Sequence, residues 1–161
     1  MTDPVVLAAQ EAFALRLIGN NDVSANTKNA QAIAKAWRGI VHRLDPDRFQ
    51  IEALVSADLD QKIDVWDQES GTAYEFKVSG KNAASEFYKD VVKALIWNEK
   101  RKRRLSRLVF ITEEEWGRPF LDAPMPRAYI EYLTSQGLAV EVEYVTHQAS
   151  QPKAEESATV G

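Results

Sequence analysis

The stretch that most constrains the fold runs from Lys62 to Val78. Lys62-Ile63-Asp64-Val65-Trp66-Asp67 and Ala73-Tyr74-Glu75-Phe76-Lys77-Val78 are rich in β-branched and aromatic residues, and they flank the short polar segment Gln68–Thr72, which contains Gly71. That pattern signals a β-hairpin. In the second run Tyr74, Phe76 and Val78 alternate with Glu75 and Lys77, and a period of two puts the apolar set on one face and the charges on the other. In the first run Ile63 and Val65 oppose Asp64 and Trp66 by the same rule. A two-residue loop sets Asp64 opposite Lys77, and a four-residue loop sets it opposite Glu75. Either register gathers Asp64, Glu75 and Lys77 on one face, whereas an odd-length loop breaks the arrangement unless a bulge repairs it. Two readings follow. One is a solvated face carrying a weak cross-strand ion pair. The other is a site for a hard divalent cation, with an ammonium beside it for a phosphate.

The rest of the chain supplies the setting. The 161 residues suffice for one compact domain with a sizeable core. There is no cysteine, so disulfides and thiolate metal sites are excluded, and with two histidines and no His-Glu motif a zinc site is not expected. No apolar run is long enough for a membrane span and no basic-then-apolar leader opens the sequence, so the expected location is cytoplasmic (intracellular), with no membrane partner. The net charge of −4 argues against a generic basic coat protein but leaves room for DNA binding through a local basic patch.

Taken in order, Asp3-Pro4 starts a helix with Val6, Ala9, Phe13 and Leu17 at helical spacing, ended by Gly19-Asn20-Asn21. A second helix starts near Asn26 or Thr27, with Ile33, Ala34, Trp37, Val41 and Leu44 on its apolar stripe. Asp45-Pro46 stops it. Phe49, Ile51, Ala53 and Val55 alternate as a first strand, and the hairpin follows. After a loop at Ser79–Asn82, Ala84, Phe87, Tyr88, Val91, Ala94 and Leu95 mark a third helix, which runs into a basic cluster. Leu108–Ile111 reads as a buried strand, Glu113–Pro119 as a loop, and the segment after Pro124 as a helix closed by Gly137. Leu138, Val140, Val142 and Tyr144 alternate as a last strand with one wet face. The expectation is an α/β, three-layer domain with a central mixed β-sheet flanked by helices, one domain over residues 1–146, and a disordered tail over 147–161.

In this order the sequence resembles the PD-(D/E)xK nuclease superfamily, with its restriction-endonuclease-like αβββαβ core. The resemblance covers residues 26–112, with the helix and strand of 124–145 as an extension. Asp64 matches the acid of the second strand, and Glu75 and Lys77 match the E-x-K of the third. Ile63 stands where the motif has Pro. The resemblance implies a divalent-metal-dependent DNA endonuclease that hydrolyses phosphodiester bonds, either restriction-type, structure-selective or the nuclease subunit of a larger system. It implies Asp64, Glu75 and Lys77 as catalytic residues. Mg²⁺, with Mn²⁺ able to substitute, would be held by Asp64, Glu75 and the backbone carbonyl of Phe76. Many members carry a further acid on the helix before the first strand; here that helix has none, and Gln31, or Glu11 on the preceding helix, is the candidate for a further ligand.

DNA is the implied partner. Lys81, Asn82 and Lys89, close after the motif, and the cluster Lys100, Arg101, Lys102, Arg103, Arg104 and Arg107 are its candidate contacts. A charged helix end accounts for that cluster equally well, because cations favour a helix C-terminus. So small a chain leaves little for base reading, so recognition would fall to loops, a homodimer or a larger protein complex. The alternative function is a non-catalytic DNA-binding or assembly module on the same fold.

Overall fold

The computed structural model describes residues 2–15, 23–78 and 82–146. The chain runs α1 (Pro4–Ala14), α2 (Val23–Leu44), β1 (Phe49–Leu54), β2 (Lys62–Asp67), β3 (Thr72–Lys77), α3 (Ala83–Lys100), β4 (Arg107–Glu113), α4 (Glu114–Leu121), α5 (Pro124–Ser135) and β5 (Ala139–Val145). Over the described residues it is an α/β domain: a five-stranded mixed sheet in the order β1-β2-β3-β4-β5, with five helices packed against it. The first three strands form an antiparallel meander, while β3/β4 and β4/β5 pair parallel. Parallel neighbours need crossovers; α3 supplies one, and α4 with α5 the other.

Two apolar clusters lie on opposite faces of the sheet. Helices α1 and α2 cover Val65, Tyr74, Phe76, Val109, Ile111 and Val145. Helices α3, α4 and α5 cover Ala73, Leu108, Phe110 and Val140. Asp3 caps α1, its Oδ1 accepting from the Val5 N–H at 2.9 Å. Trp37 ties α2 to both neighbours: its indole N–H donates to the Val5 carbonyl at 3.1 Å, and its ring meets Phe76 edge-on at 5.4 Å.

The first expected helix and the helix–strand–hairpin–helix–strand succession after it are all present, and α2 begins at Val23, ahead of the expected start. The expected stop at Gly19–Asn21 and the tail from 147 lie outside the described residues. One expectation fails: Glu113–Pro119 is not a loop, because residues from Glu114 form α4. Gly117 and Pro119 hid this helix, since both residue types lower intrinsic helicity. Tertiary packing overrides propensity here. A Cβ at Gly117 would fall 2.4 Å from Thr112 Cγ2 and 3.1 Å from the Tyr144 ring, so glycine lets the helix lie directly on β4 and β5. Glu114 and Glu115 in its first turn also suit the helix dipole.

A second expectation fails within the hairpin. Ile63 and Val65 do not share a face: Val65 packs with the α1/α2 cluster and Ile63 with the α3 cluster. Their β1 partners divide likewise, Ile51 going with the first and Ala53 with the second. Between those pairs Glu52 has φ 51, a left-handed conformation rare for residues other than glycine, and the ladder skips it. The two strands thus exchange faces at the level of Glu52 and Asp64, as strands do at a local break in the ladder.

Candidate metal and phosphate site

Asp67 fixes the hairpin loop. Its Oδ1 accepts from the backbone N–H groups of Glu69 (3.0 Å) and Ser70 (3.3 Å), and its Oδ2 from the Ser70 hydroxyl (2.7 Å). Arg48 closes on the same carboxylate with Nε to Oδ1 at 3.0 Å and Nη2 to Oδ2 at 2.7 Å. Burial works to raise the Asp67 pKa, but the bonds from Arg48, Ser70 and the loop amides outweigh it, and the carboxyl titrates below its ordinary range. The loop is therefore Gln68–Gly71, and Gly71 takes φ 67 at its end. Of the two registers open in the sequence, this is the four-residue one: Val65 faces Tyr74, and continuing the ladder brings Asp64 to Glu75.

Pairing of β2 with β3 ends at Val65–Tyr74. Beyond it the Asp64 carboxylate reaches across, and its Oδ2 accepts from the Phe76 N–H at 3.3 Å. On β3 the alternation holds. Tyr74, Phe76 and Val78 enter the α1/α2 cluster, while Glu75 and Lys77 meet residues of α3.

That face is not solvated. Glu75 is completely buried beneath α3. Its Oε1 accepts from Lys93 Nζ at 2.6 Å, while its Oε2 is buried with no hydrogen-bond partner. Lys93 Nζ also donates to the Lys62 carbonyl at 2.9 Å and lies 2.9 Å from Asp90 Oδ1. The Asp90 contact is ionic rather than well directed, and both Asp90 oxygens are buried without a proper hydrogen bond. Lys77 is three-quarters buried, with Nζ 3.4 Å from Glu86 Oε2.

The charges act on one another. Burial, then the nearby Asp64 and Asp90, push the Glu75 carboxyl well above its ordinary range against the pull of Lys93 and Lys77. Burial also raises Asp90, with Lys93 and Lys77 opposing. For Lys77, burial works to lower the pKa, yet Asp90, Asp64, Glu75 and Glu86 prevail and raise it. Lys77 is therefore an ammonium at neutral pH.

No family model, curated protein or solved structure matches the chain.

The arrangement brings Asp64, Glu75 and Lys77 into one electrostatic cluster and adds two residues that sequence reasoning missed, Asp90 and Lys93. Their signal lay in the helical stripe. Ala83, Phe87, Asp90, Ala94 and Trp97 recur at the spacing of one buried helix face, so a carboxylate sits where an apolar residue belongs, with a lysine three residues on. Gln31 and Glu11 are exposed, and among the described residues neither is bonded or ion-paired to Asp64, Glu75 or Lys77. Among the described residues no three acidic or histidine side chains form a ready metal cage.

Among the expected DNA contacts, three arginines have partners within the fold. Arg101 lies over the Trp97 ring at 4.0 Å and donates to the carbonyls of Leu54 and Val55. Arg103 lies over Trp66 at 5.2 Å and donates to the Gln68 carbonyl. Arg107 binds Glu141 Oε2 at 2.6 Å and Asp3 Oδ2 at 3.4 Å. Lys102 and Arg104 are exposed, Lys100 is 3.5 Å from Asp58, and Lys89 is 4.0 Å from Glu86. Asn82 is exposed at the start of α3, and Lys81 lies outside the described residues. A cleft of about 400 Å³ runs between Trp66, Lys100, Arg101, Lys102 and Arg103.

Proposed function

We propose that the chain is a divalent-metal-dependent DNA endonuclease on the restriction-endonuclease-like scaffold, with α2-β1-β2-β3-α3-β4 as its αβββαβ core. One observation carries the reading. At the point where β2 and β3 part, Asp64 bonds the Phe76 N–H and lies near enough to act electrostatically on a Glu75 whose buried Oε2 has no partner, as does the Lys77 ammonium. An orphaned buried carboxylate oxygen is costly, and a hard cation is the partner that suits it. The donor set thus fits Mg²⁺ or Mn²⁺ held by Asp64 and Glu75, with the Phe76 carbonyl added by the resemblance. Water and a substrate phosphate would fill the other positions, as is usual for Mg²⁺. When bound, such an ion supplies charge to the phosphate and acidifies water.

The chain's own groups do the rest. Lys77, held protonated by four carboxylates, contacts the scissile phosphate and orients the attacking water; it is not the proton acceptor. Helix α3 excludes solvent above Glu75, which strengthens each charge interaction below it. The basic cleft begins seven residues along α3 from Lys93, roughly 10 Å at the helical rise per residue, a distance one DNA strand spans in about three nucleotides. Lys100, Lys102 and Arg104 thus suit backbone phosphates flanking the scissile one.

One observation favours the second reading, a non-catalytic DNA-binding or assembly module: Lys93 already neutralises one oxygen of Glu75. The two separate in a nicking assay. Purified protein is incubated with plasmid, linear and branched DNA plus Mg²⁺ or Mn²⁺, beside Asp64→Asn and Glu75→Ala. Metal-dependent cleavage lost in both variants is the expected result. Equal cleavage by variants and wild type means a contaminant and refutes the proposal. DNA binding by the wild type without cleavage selects the second reading.

A further inference from the structure

Lys93 is spent entirely inside the protein. Its ammonium has three N–H groups, and three oxygens surround it: Glu75 Oε1 at 2.6 Å, Lys62 O at 2.9 Å and Asp90 Oδ1 at 2.9 Å. Buried as it is, the ammonium is not presented to a substrate phosphate. The ammonium lies between two of the cluster's carboxylates, the place a second metal ion would take in a site with three acids.

Resting on the nuclease reading above, we infer that Lys93 is a built-in substitute for a second metal ion, so that the site takes one divalent ion, held by Asp64 and the free Oε2 of Glu75. Charge supports it. With all six groups ionised, Asp64, Glu75, Glu86 and Asp90 exceed Lys77 and Lys93 by two negative charges, which a single divalent ion already neutralises. A second ion would be repelled by the first and by both ammonium groups. Donors agree: Lys93 binds one oxygen of Glu75 and engages Asp90, so a metal meets Glu75 through Oε2 alone. Asp90 is then a positioning residue, holding Lys93 against Glu75.

The test counts bound Mn²⁺ on DNA-free, EDTA-stripped protein by titration calorimetry and by the electron spin resonance of free Mn²⁺. Wild type should bind one ion, lost in Asp64→Asn. Lys93→Met should bind two, or bind the first tighter by about tenfold or more, because a cation a few ångströms away has gone. Lys93→Arg, which keeps the charge, should bind one. Two ions on wild type, retention of the ion by Asp64→Asn, or a Lys93→Met titration identical to wild type overturns the inference. If Lys93→Met does not fold without metal, Mn²⁺ should restore its cooperative thermal unfolding; no recovery at Mn²⁺ that saturates wild type also overturns it. A wild type that binds no Mn²⁺ defeats the nuclease reading itself, a different outcome from the other four.

Discussion

Asp67 is the residue on which the register of the hairpin depends, and its removal gives the sharpest quantitative test. Asp67→Ala deletes two charge-assisted bonds from Arg48, one from the Ser70 hydroxyl, and two from loop amides. Arg48 is about one-third exposed, so water partly replaces its loss and its two bonds contribute about 1 kcal/mol between them. Ser70 and the two amides lie at a loop tip and contribute together about 2 kcal/mol. Asp67→Ala should therefore cost about 3 kcal/mol, which for a chain of this size lowers Tm by roughly 10 °C. The cost should also depend on pH. Asp67 has a depressed pKa in the fold, so its stabilisation is complete above the unfolded value and fades as pH falls through the folded one. Wild type and variant should thus begin to converge below about pH 4, where Asp67 of the unfolded chain takes up its proton, and meet once the folded carboxyl is protonated as well. Urea denaturation followed by tryptophan fluorescence suits the test, since Trp37, Trp66 and Trp97 are buried. A loss under about 0.5 kcal/mol at pH 7, or a gap that does not narrow in acid, would refute the assignment of the loop to Asp67.

Other expectations are narrower. Glu75 has a raised pKa, so the native state holds its proton more tightly than the unfolded chain, and stability is lost as pH rises through the folded value. In EDTA, Glu75→Gln should therefore lose less stability than wild type between pH 5 and 9, values spanning the ordinary carboxylate range and above, in urea melts; parallel curves would contradict it. The double variant Lys102→Ala, Arg104→Ala should reduce the slope of log DNA affinity against log salt by about 2, as two phosphate contacts disappear. Arg107→Ala should leave that slope unchanged in the same titration and instead cost about 1 kcal/mol in urea melts, because its partners are Glu141 and Asp3.

What could be read from residues alone was whatever obeys a local period. The alternation of Tyr74, Phe76 and Val78 with Glu75 and Lys77 is a property of the pleat, and it survived intact. Loop length was undetermined because it depends on Asp67 being capped by Arg48, a partner nineteen positions away. The face exchange at Asp64 could not be seen, since it follows from the left-handed backbone of Glu52 on the neighbouring strand. Helix α4 was hidden because close approach to Thr112 and Tyr144, not propensity, decides it. Asp90 and Lys93 were passed over because burial turns a surface charge pair into the counterpart of Glu75, and burial is settled only when α3 lies on the sheet. The short-range reading of the basic run treated six cations alike, whereas tertiary partners divide Arg101, Arg103 and Arg107 from Lys102 and Arg104.

The left-handed residue in β1 matters beyond the geometry of Asp64. As the outermost strand of the meander, β1 has one side with no strand beside it among the described residues, and a long straight edge of that kind invites pairing with a strand from another molecule. The twist at Glu52 interrupts the regular row of donors and acceptors after three residues and places a charged side chain at the break. A chain in transit to its folded state therefore offers a poor seed for fibril growth along this border. Straightening the strand, as Glu52→Val would favour, exposes a continuous apolar template and should raise the turbidity of a concentrated solution, a consequence for solubility that has nothing to do with cleavage.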